Sequence, residues 1–216
     1  IEEFTESELL NKELECFGFY FSQHPLITIR NCISSITKPI NKLQVSGQEK
    51  FLPVLIHKKR IRQKGSQVSI WLEVSDETGN LDVSIPRELH DNKKELFKEN
   101  SIVMLKGKFS HDDFREDARI RMRATDIMSI EDSRNHLTTK LCLEIDRANM
   151  KKIGNGQFPE LKELESDKGV DVFIRISDEE LNLSSEFKVD NFKISLEDST
   201  FEKLNKLFGE EKYKLY

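Results

Sequence analysis

Val68-Ser69-Ile70-Trp71-Leu72-Glu73-Val74-Ser75-Asp76-Glu77-Thr78-Gly79-Asn80-Leu81-Asp82-Val83-Ser84-Ile85 is two alternating apolar–polar runs joined by a turn-forming segment. A period of two belongs to a strand with one buried face. It places Val68, Ile70, Leu72 and Val74 on one side and Ser69, Trp71 and Glu73 on the other. Asp76–Asn80, with its glycine, reads as a hairpin turn. Leu81, Val83 and Ile85 then alternate with Asp82 and Ser84, and Pro86 closes the strand because it has no N–H for a ladder.

The same period extends outward. Upstream, Phe51–Arg62 reads as a long strand beginning Leu52, Val54, Ile56, with Lys64-Gly65-Ser66 as its turn. Downstream, Arg87–Glu99 has the spacing of a short amphipathic helix with Leu89, Leu96 and Phe97 inward. Ser101–Ser110 reads as a fourth strand. Arg119–Ile130 is a fifth, with Ile120, Met122 and Ala124 opposite Arg119, Arg121 and Arg123. Three strands, a helix and two more strands is the order of an OB-fold, a small barrel that buries one face and leaves few edges.

The expected fold class is therefore mainly β and α+β, in three parts. Residues 1–50 form a helical segment and linker, with Ile1, Phe4, Leu9, Leu10, Leu14 and Phe17 at near-helical spacing and Gly18 and Pro25 ending the helix. Residues 51–130 form the barrel. After a polar linker at 131–139, residues 140–216 form a small α+β domain. Its strand candidates are Leu141–Ile145, Val170–Ile176, Phe187–Leu196 and Tyr213–Tyr216. Phe158–Ser166 and Ser199–Phe208 read as helices, the latter capped by Asp198, Ser199 or Thr200 and stopped by Gly209.

Charge separates these parts. The chain of 216 residues has a net charge of −5, which by itself argues against a nucleic-acid binder. Residues 51–130, however, carry 15 Lys and Arg against 13 Asp and Glu, whereas 131–216 carry 14 against 19. Local charge steers partners more than the total does. Cys16, Cys32 and Cys142 are odd in number and far apart, so they suggest idle thiols in a reducing cytosol and no metal site. No apolar run approaches the roughly 20 residues of a membrane span. The chain opens Ile-Glu-Glu without a basic leader, and is read as an excised fragment without a membrane partner.

Gly18-Phe19-Tyr20-Phe21-Ser22-Gln23-His24-Pro25-Leu26 precedes this barrel by about thirty residues. Together with Val74-Ser75-Asp76-Glu77-Thr78-Gly79, Leu81-Asp82-Val83, Ser110-His111-Asp112-Asp113-Phe114 and Asp126-Ile127, it resembles the C-terminal region of the bacterial replicative DNA polymerase III alpha subunit. Phe21, Gln23 and Ser69-Ile70-Trp71 depart from the family pattern and mark a divergent member. The resemblance implies a non-catalytic portion of a DNA-directed DNA polymerase, a nucleotidyltransferase. Its metal-binding palm would lie in another part of the protein, so magnesium is expected there and no cofactor in this chain. The OB-fold is expected to hold single-stranded DNA template, and the last domain to bind the clamp-loader tau subunit. A sliding-clamp peptide is expected upstream, and the whole in a cytoplasmic, nucleoid-associated bacterial replisome alongside the remainder of the polymerase.

Candidate residues follow from charge and alternation. Lys58, Lys59, Arg60, Arg62 and Lys64 run along strand one into its loop, and residues 51–72 contain no Asp or Glu. Such a run fits a phosphate-binding groove, with a solvated strand end as the plainer alternative. Trp71, opposite Ile70, Leu72 and Val74, points away from the core; it can stack a base, or pack on a neighbouring domain or on the Arg87–Glu99 helix. Arg119, Arg121 and Arg123 form one basic stripe, which Lys106 and Lys108 extend, unless acids across the sheet pair with them. The acid-rich loop with Asp112, Asp113, Glu116 and Asp117 would repel phosphate.

Other motifs read as structural. His24-Pro25 is a turn without a nucleophile or acid partner. Gly154-Asn155-Gly156 lacks the setting of a phosphate loop, and Leu204-Asn205-Lys206-Leu207-Phe208 fits a helix packed in its own core better than a clamp-binding peptide. No catalytic constellation is visible. The alternatives are a replisome protein-interaction module with no significant DNA binding, or an independent enzyme or anticodon-binding appendage of a tRNA synthetase, which use OB-folds too.

Overall fold

In a computed structural model the described residues are 6–18, 20–33, 37–65, 67–111, 120–145, 159–178, 183–209 and 212–216. The chain divides into two compact units, Ile1–Arg30 with Thr37–Ile130, and Asn31–Ile36 with Glu131–Tyr216.

The first unit opens with helix α1 (Glu6–Phe17), followed by α2 (Leu26–Ile33), whose residues from Asn31 are counted with the second unit, and by a 3-10 turn at Ile40–Lys42. Gly18 ends α1 with φ of 74°, a left-handed conformation that costs a glycine little. Strands β1 (Lys50–Lys64), β2 (Gln67–Asp76), β3 (Gly79–Ile85), β4 (Ile102–His111) and β5 (Ile120–Met128) close into a barrel in the order β1-β2-β3-β5-β4. Neighbours run antiparallel except β3 and β5, which pair in parallel through Asp82–Arg121, Val83–Met122 and Ser84–Arg123. Closure leaves no free sheet edge, and the alternation determines what is inside. Leu52, Val54, Ile56, Ile70, Leu72, Val74, Leu81, Val83, Val103, Leu105, Met122 and Ile127 share one core.

The segment between β3 and β4 departs from the expected single helix. It is α3 (Arg87–Asn92) and a separate 3-10 turn (Lys94–Leu96), because Lys93, at φ −132° and ψ 39°, leaves helical geometry after the weak helix formers Asp91 and Asn92. Phe97 just beyond is 1% exposed and joins the barrel core.

Two bulges correct the simple period. Between Ile56 and Lys58 the β1–β2 register slips, with Ile56 opposite Val74 but Lys58 opposite Glu73. A strict period would send Lys58, Arg60 and Arg62 into the core behind Leu52, Val54 and Ile56. The extra residue, His57, turns them outward. A second slip falls between Lys106 and Gly107. There β5 approaches so closely that a Cβ on Gly107 would lie 2.3 Å from the Arg123 carbonyl oxygen.

The second unit corrects the expected linker at 131–139. Helix α4 (Ile130–Leu137) starts at the end of the first unit and occupies most of that stretch. Glu131 and Asp132 lie in its first turn and Arg134 and His136 in its last, the arrangement that a helix dipole favours. Strands β6 (Lys140–Ile145), β7 (Glu165–Asp178), β8 (Leu183–Ile194) and β9 (Tyr213–Leu215) form one sheet in the order β8-β7-β6-β9, with β6 and β7 parallel. Helix α5 (Pro159–Lys162) precedes β7 and α6 (Asp198–Phe208) follows β8. Leu141, Leu143, Val172, Ile194, Leu204, Phe208 and Leu215 are buried, and the Phe201 ring stacks on Tyr213 at 5.3 Å.

The N-cap position of α6 is Glu197, which makes no side-chain cap bond; Thr200 instead pairs its hydroxyl with Ser195 at 2.9 Å. Gly209, at φ of 93°, is the C-cap. Lys140, Glu144, Arg175, Glu186 and Lys214 make an ion-pair network: Glu186 takes Lys140 and Arg175 at 2.7 Å each, and Glu144 takes Arg175 at 3.3 Å and Lys214 at 2.9 Å. Among the described residues no helix is long and apolar enough to cross a membrane, and no His, Cys, Asp or Glu cluster could hold a metal ion.

Candidate nucleic-acid interface

The outward positions of β1, β2, β3 and β5 converge on one groove. Its volume is about 760 Å³, and its walls include His57, Arg60, Arg62, Trp71, Glu73, Asn80, Asp82 and Arg121. The register puts these side chains together. Trp71 lies between Arg60 on β1 and Ser84 on β3, and Glu73 lies between Lys58 and Asp82. Opposed residues of a ladder share a face, so all of these point away from the core.

Trp71 is half-buried on the groove wall, with the Arg121 guanidinium 5.8 Å from its ring centroid. An arginine at that distance feels the negative face of the indole. Arg60 is ion-paired to Glu73, which neutralises one groove cation, while Arg62 stands opposite Ser69 and is exposed. Arg123 is exposed beside Lys108 on β4, its register partner, so this part of the stripe is continuous around the barrel.

The structure does not gather every expected residue. Lys58 is exposed and outward, but the groove lining passes it by. Lys59 falls on the opposite side, in register with the buried Leu72, and its N–H donates to Glu99 Oε1 at 3.0 Å. The bulge at His57 is the reason: it sends every second residue outward from 58, and 59 is out of phase. Lys106 is taken up elsewhere, ion-paired to Glu49 at 3.2 Å and 5.6 Å from the Phe51 ring. That hydrogen bond holds the Glu49 carboxyl below the usual carboxylate range. Lys64 ends β1, but its side chain lies outside the described residues, as do Arg119, the 112–119 loop and Gly154-Asn155-Gly156.

His57, Asn80 and Asp82 were not singled out from the sequence. The signal for Asn80 and Asp82 was available: they occupy the outward phase of β3, as Trp71 does of β2. His57 was available in the same way, because it follows the inward Ile56 and so falls on the outward phase of β1.

The Gly18–Leu26 segment is tied to this barrel. Glu13 on α1 accepts the main-chain N–H of Phe21 at 2.8 Å and of Ser22 at 3.0 Å, and the Ser22 hydroxyl as well. These bonds, led by the hydroxyl, hold its carboxyl below the usual range. His24 Nδ1 accepts the Leu26 N–H at 3.2 Å. A neutral ring therefore carries its hydrogen on Nε2 and donates to Ser75 Oγ at 2.8 Å. Ser75 Oγ is also 2.6 Å from His57 Nε2, a second hydrogen bond to the same hydroxyl. His24-Pro25 thus docks the segment against β2 and, through Ser75, against the groove residue His57.

The turn between β2 and β3 is held by Asp76. Its Oδ1 accepts the N–H groups of Thr78 and Gly79 at 2.8 and 3.1 Å, and its Oδ2 the N–H of Ile40 at 2.7 Å.

No family model matches the chain. Curated relatives do. DNA polymerase III subunit alpha of Pseudomonas fluorescens is 26% identical over 157 residues, covering 69% of this chain and 13% of the relative. That of Pasteurella multocida is 24% identical over 152 residues, covering 68% of this chain and 13% of the relative. That of Bacillus subtilis is 32% identical over 111 residues, covering 50% and 10%. The chain thus spans about one eighth of the length of these relatives.

Among solved structures, the SSB domain of a Synechococcus protein gives a TM-score of 0.32 at 12% identity, covering 39% of this chain and 98% of that one. Asparaginyl-tRNA synthetase from Pyrococcus horikoshii gives 0.31 at 15%, covering 39% and 20%. The quoted motifs, the closed five-stranded barrel and the curated relatives together make this chain similar to part of the bacterial DNA polymerase III alpha subunit, consistent with its C-terminal region.

Proposed function

We propose that the groove binds single-stranded DNA, with Trp71 as the stacking platform and Arg62, Arg121 and Arg123 against the backbone. The observation that carries this is the position of Trp71: an aromatic ring on the outward face of a barrel strand, half-exposed in a groove, with an arginine over it. Base–aromatic stacking contributes about 1–3 kcal/mol per base. The similarity to a replicative polymerase subunit supports single-stranded template as the ligand. On this reading the chain is a non-catalytic portion of the polymerase, active in a cytoplasmic replisome. The metal-dependent chemistry and the sliding-clamp segment belong to other parts of the protein.

The second unit would bind the clamp-loader tau subunit. Its acidic composition supports a basic protein partner, and Leu183 and Phe187, 63% and 57% exposed on the edge strand β8, support an apolar contact with it.

The test is a titration of the chain with a thymidine oligonucleotide, following the fluorescence of Trp71, its single tryptophan. Quenching is expected, with affinity falling roughly twentyfold between 50 and 200 mM salt if about three phosphates are neutralised. Absence of quenching at low salt would overturn the reading in favour of a protein-interaction module.

A further inference from the structure

The groove carries two carboxylates that a surface built only for phosphate would not need. Glu73 is spoken for, since Arg60 pairs with it. Asp82 is different. It is exposed, and among the described residues its carboxylate makes no hydrogen bond or ion pair. Its neighbours in register are Glu73 on β2 and Arg121 on β5, and Trp71 is the next outward residue of β2. Asp82 is therefore diagonal to Trp71 on one sheet face, where such neighbours are about 7–8 Å apart. A base lying on the indole has its edge within that span.

The chemistry of an aspartate limits what that edge can be. A carboxylate has two acceptor oxygens and no donor. It repels phosphate, so the backbone at this nucleotide runs on the β1 side, along Arg62, and the base edge faces Asp82 across Trp71. Thymine offers one N–H, flanked by two carbonyl oxygens that the carboxylate repels. Cytosine and adenine offer one amino group each. Guanine alone offers two adjacent donors, N1–H and the 2-amino group, which match both oxygens of one carboxylate.

We propose that Asp82 makes the Trp71 site guanine-selective, receiving N1–H and the 2-amino group of the stacked base. This rests on the reading of the groove as a single-stranded DNA site. It converts a general stacking platform into one position with a base preference.

The test uses the full chain and a set of thymidine oligonucleotides, one all-thymidine and the others with a single central dG, dI, dC or dA, followed by Trp71 fluorescence at low salt. The dG oligonucleotide is expected to bind roughly tenfold tighter than the all-thymidine one, within the range of a bidentate base contact. Inosine, which lacks the 2-amino group, is expected to fall between them. Asp82→Asn is expected to bring the guanine and thymine affinities together. Equal affinity across the set, or a guanine preference that survives Asp82→Asn, overturns the base selection while leaving the single-stranded DNA reading in place. No quenching by any of the oligonucleotides overturns both. The inosine comparison uses the unaltered chain, so the proposal stays falsifiable whatever the folding of the variant.

Discussion

Replacing Asp76 should damage the wall of the groove more than any exposed substitution in it. The side chain is 3% exposed, and the hydrogen bonds it accepts include those from Thr78 N–H at 2.8 Å, Gly79 N–H at 3.1 Å, Ile40 N–H at 2.7 Å and the Thr78 hydroxyl at 2.7 Å. Asp76→Ala removes them all. The hydroxyl can turn to water, but three main-chain donors lose their partner. Hydrogen bonds to a charged group are worth about 1.5–3 kcal/mol each. Water can reach the exposed Thr78 and the half-exposed Gly79, and a buried carboxylate no longer has to be desolvated; both offset part of the loss. The net cost is about 3 kcal/mol, a large share of the roughly 5–15 kcal/mol that stabilises a domain.

Asp76→Asn separates the contributions. Its carbonyl oxygen can still serve Thr78 and Gly79, but its amino group would face the Ile40 N–H, donor against donor, at a cost of about 1–2 kcal/mol. Urea unfolding followed by Trp71 fluorescence measures both. A cost below about 1 kcal/mol for the alanine variant, or equal costs for the two, would refute the claim that this carboxylate organises the turn.

Two further perturbations test the packing and the electrostatics. Gly107→Ala places a methyl 2.3 Å from the Arg123 carbonyl oxygen and 2.8 Å from Met122 Cε. It should cost about 2–3 kcal/mol in urea unfolding; a neutral result would mean that β4 and β5 separate easily. In the second unit, hydrogen bonds from Lys140 and then Arg175 hold the Glu186 carboxyl at about 2. A depressed carboxylate stabilises the fold above its unfolded value, about 4.3, and that contribution disappears as pH falls toward 2. Thermal melting of the native chain and of Glu186→Gln should therefore differ at neutral pH and converge on acidification, and a difference independent of pH would contradict the assignment.

Much of the first unit was legible because its signals are local. Alternation in 68–85, the glycine turn and Pro86 each act over a few residues, and together they specify strands whose apolar faces must meet. The polar composition of 131–139 misled for a related reason: a helix stabilised at its ends by charge, as α4 is, carries little apolar periodicity to read. Arg87–Glu99 was over-extended because Asp91 and Asn92 weaken a helix without abolishing its spacing. Of the candidate site, Trp71 and Arg121 come together as the outward phases of β2 and β5 imply, whereas Lys59 and Lys106 do not reach the groove.

By its pattern alone the sequence determined which residues are apolar enough to line a barrel, where its strands turn, and that Trp71 stands outside the core. Only the tertiary structure decided which outward residues share a surface. The bulge at His57 sets the phase of Arg60 and Arg62, and the parallel pairing of β3 with β5 sets Arg121 beside Asp82. Neither can be read along the chain. A bulge answers the conflict between a buried face and charged residues in phase with it, and a parallel pairing joins segments that barrel closure, not sequence proximity, brings together.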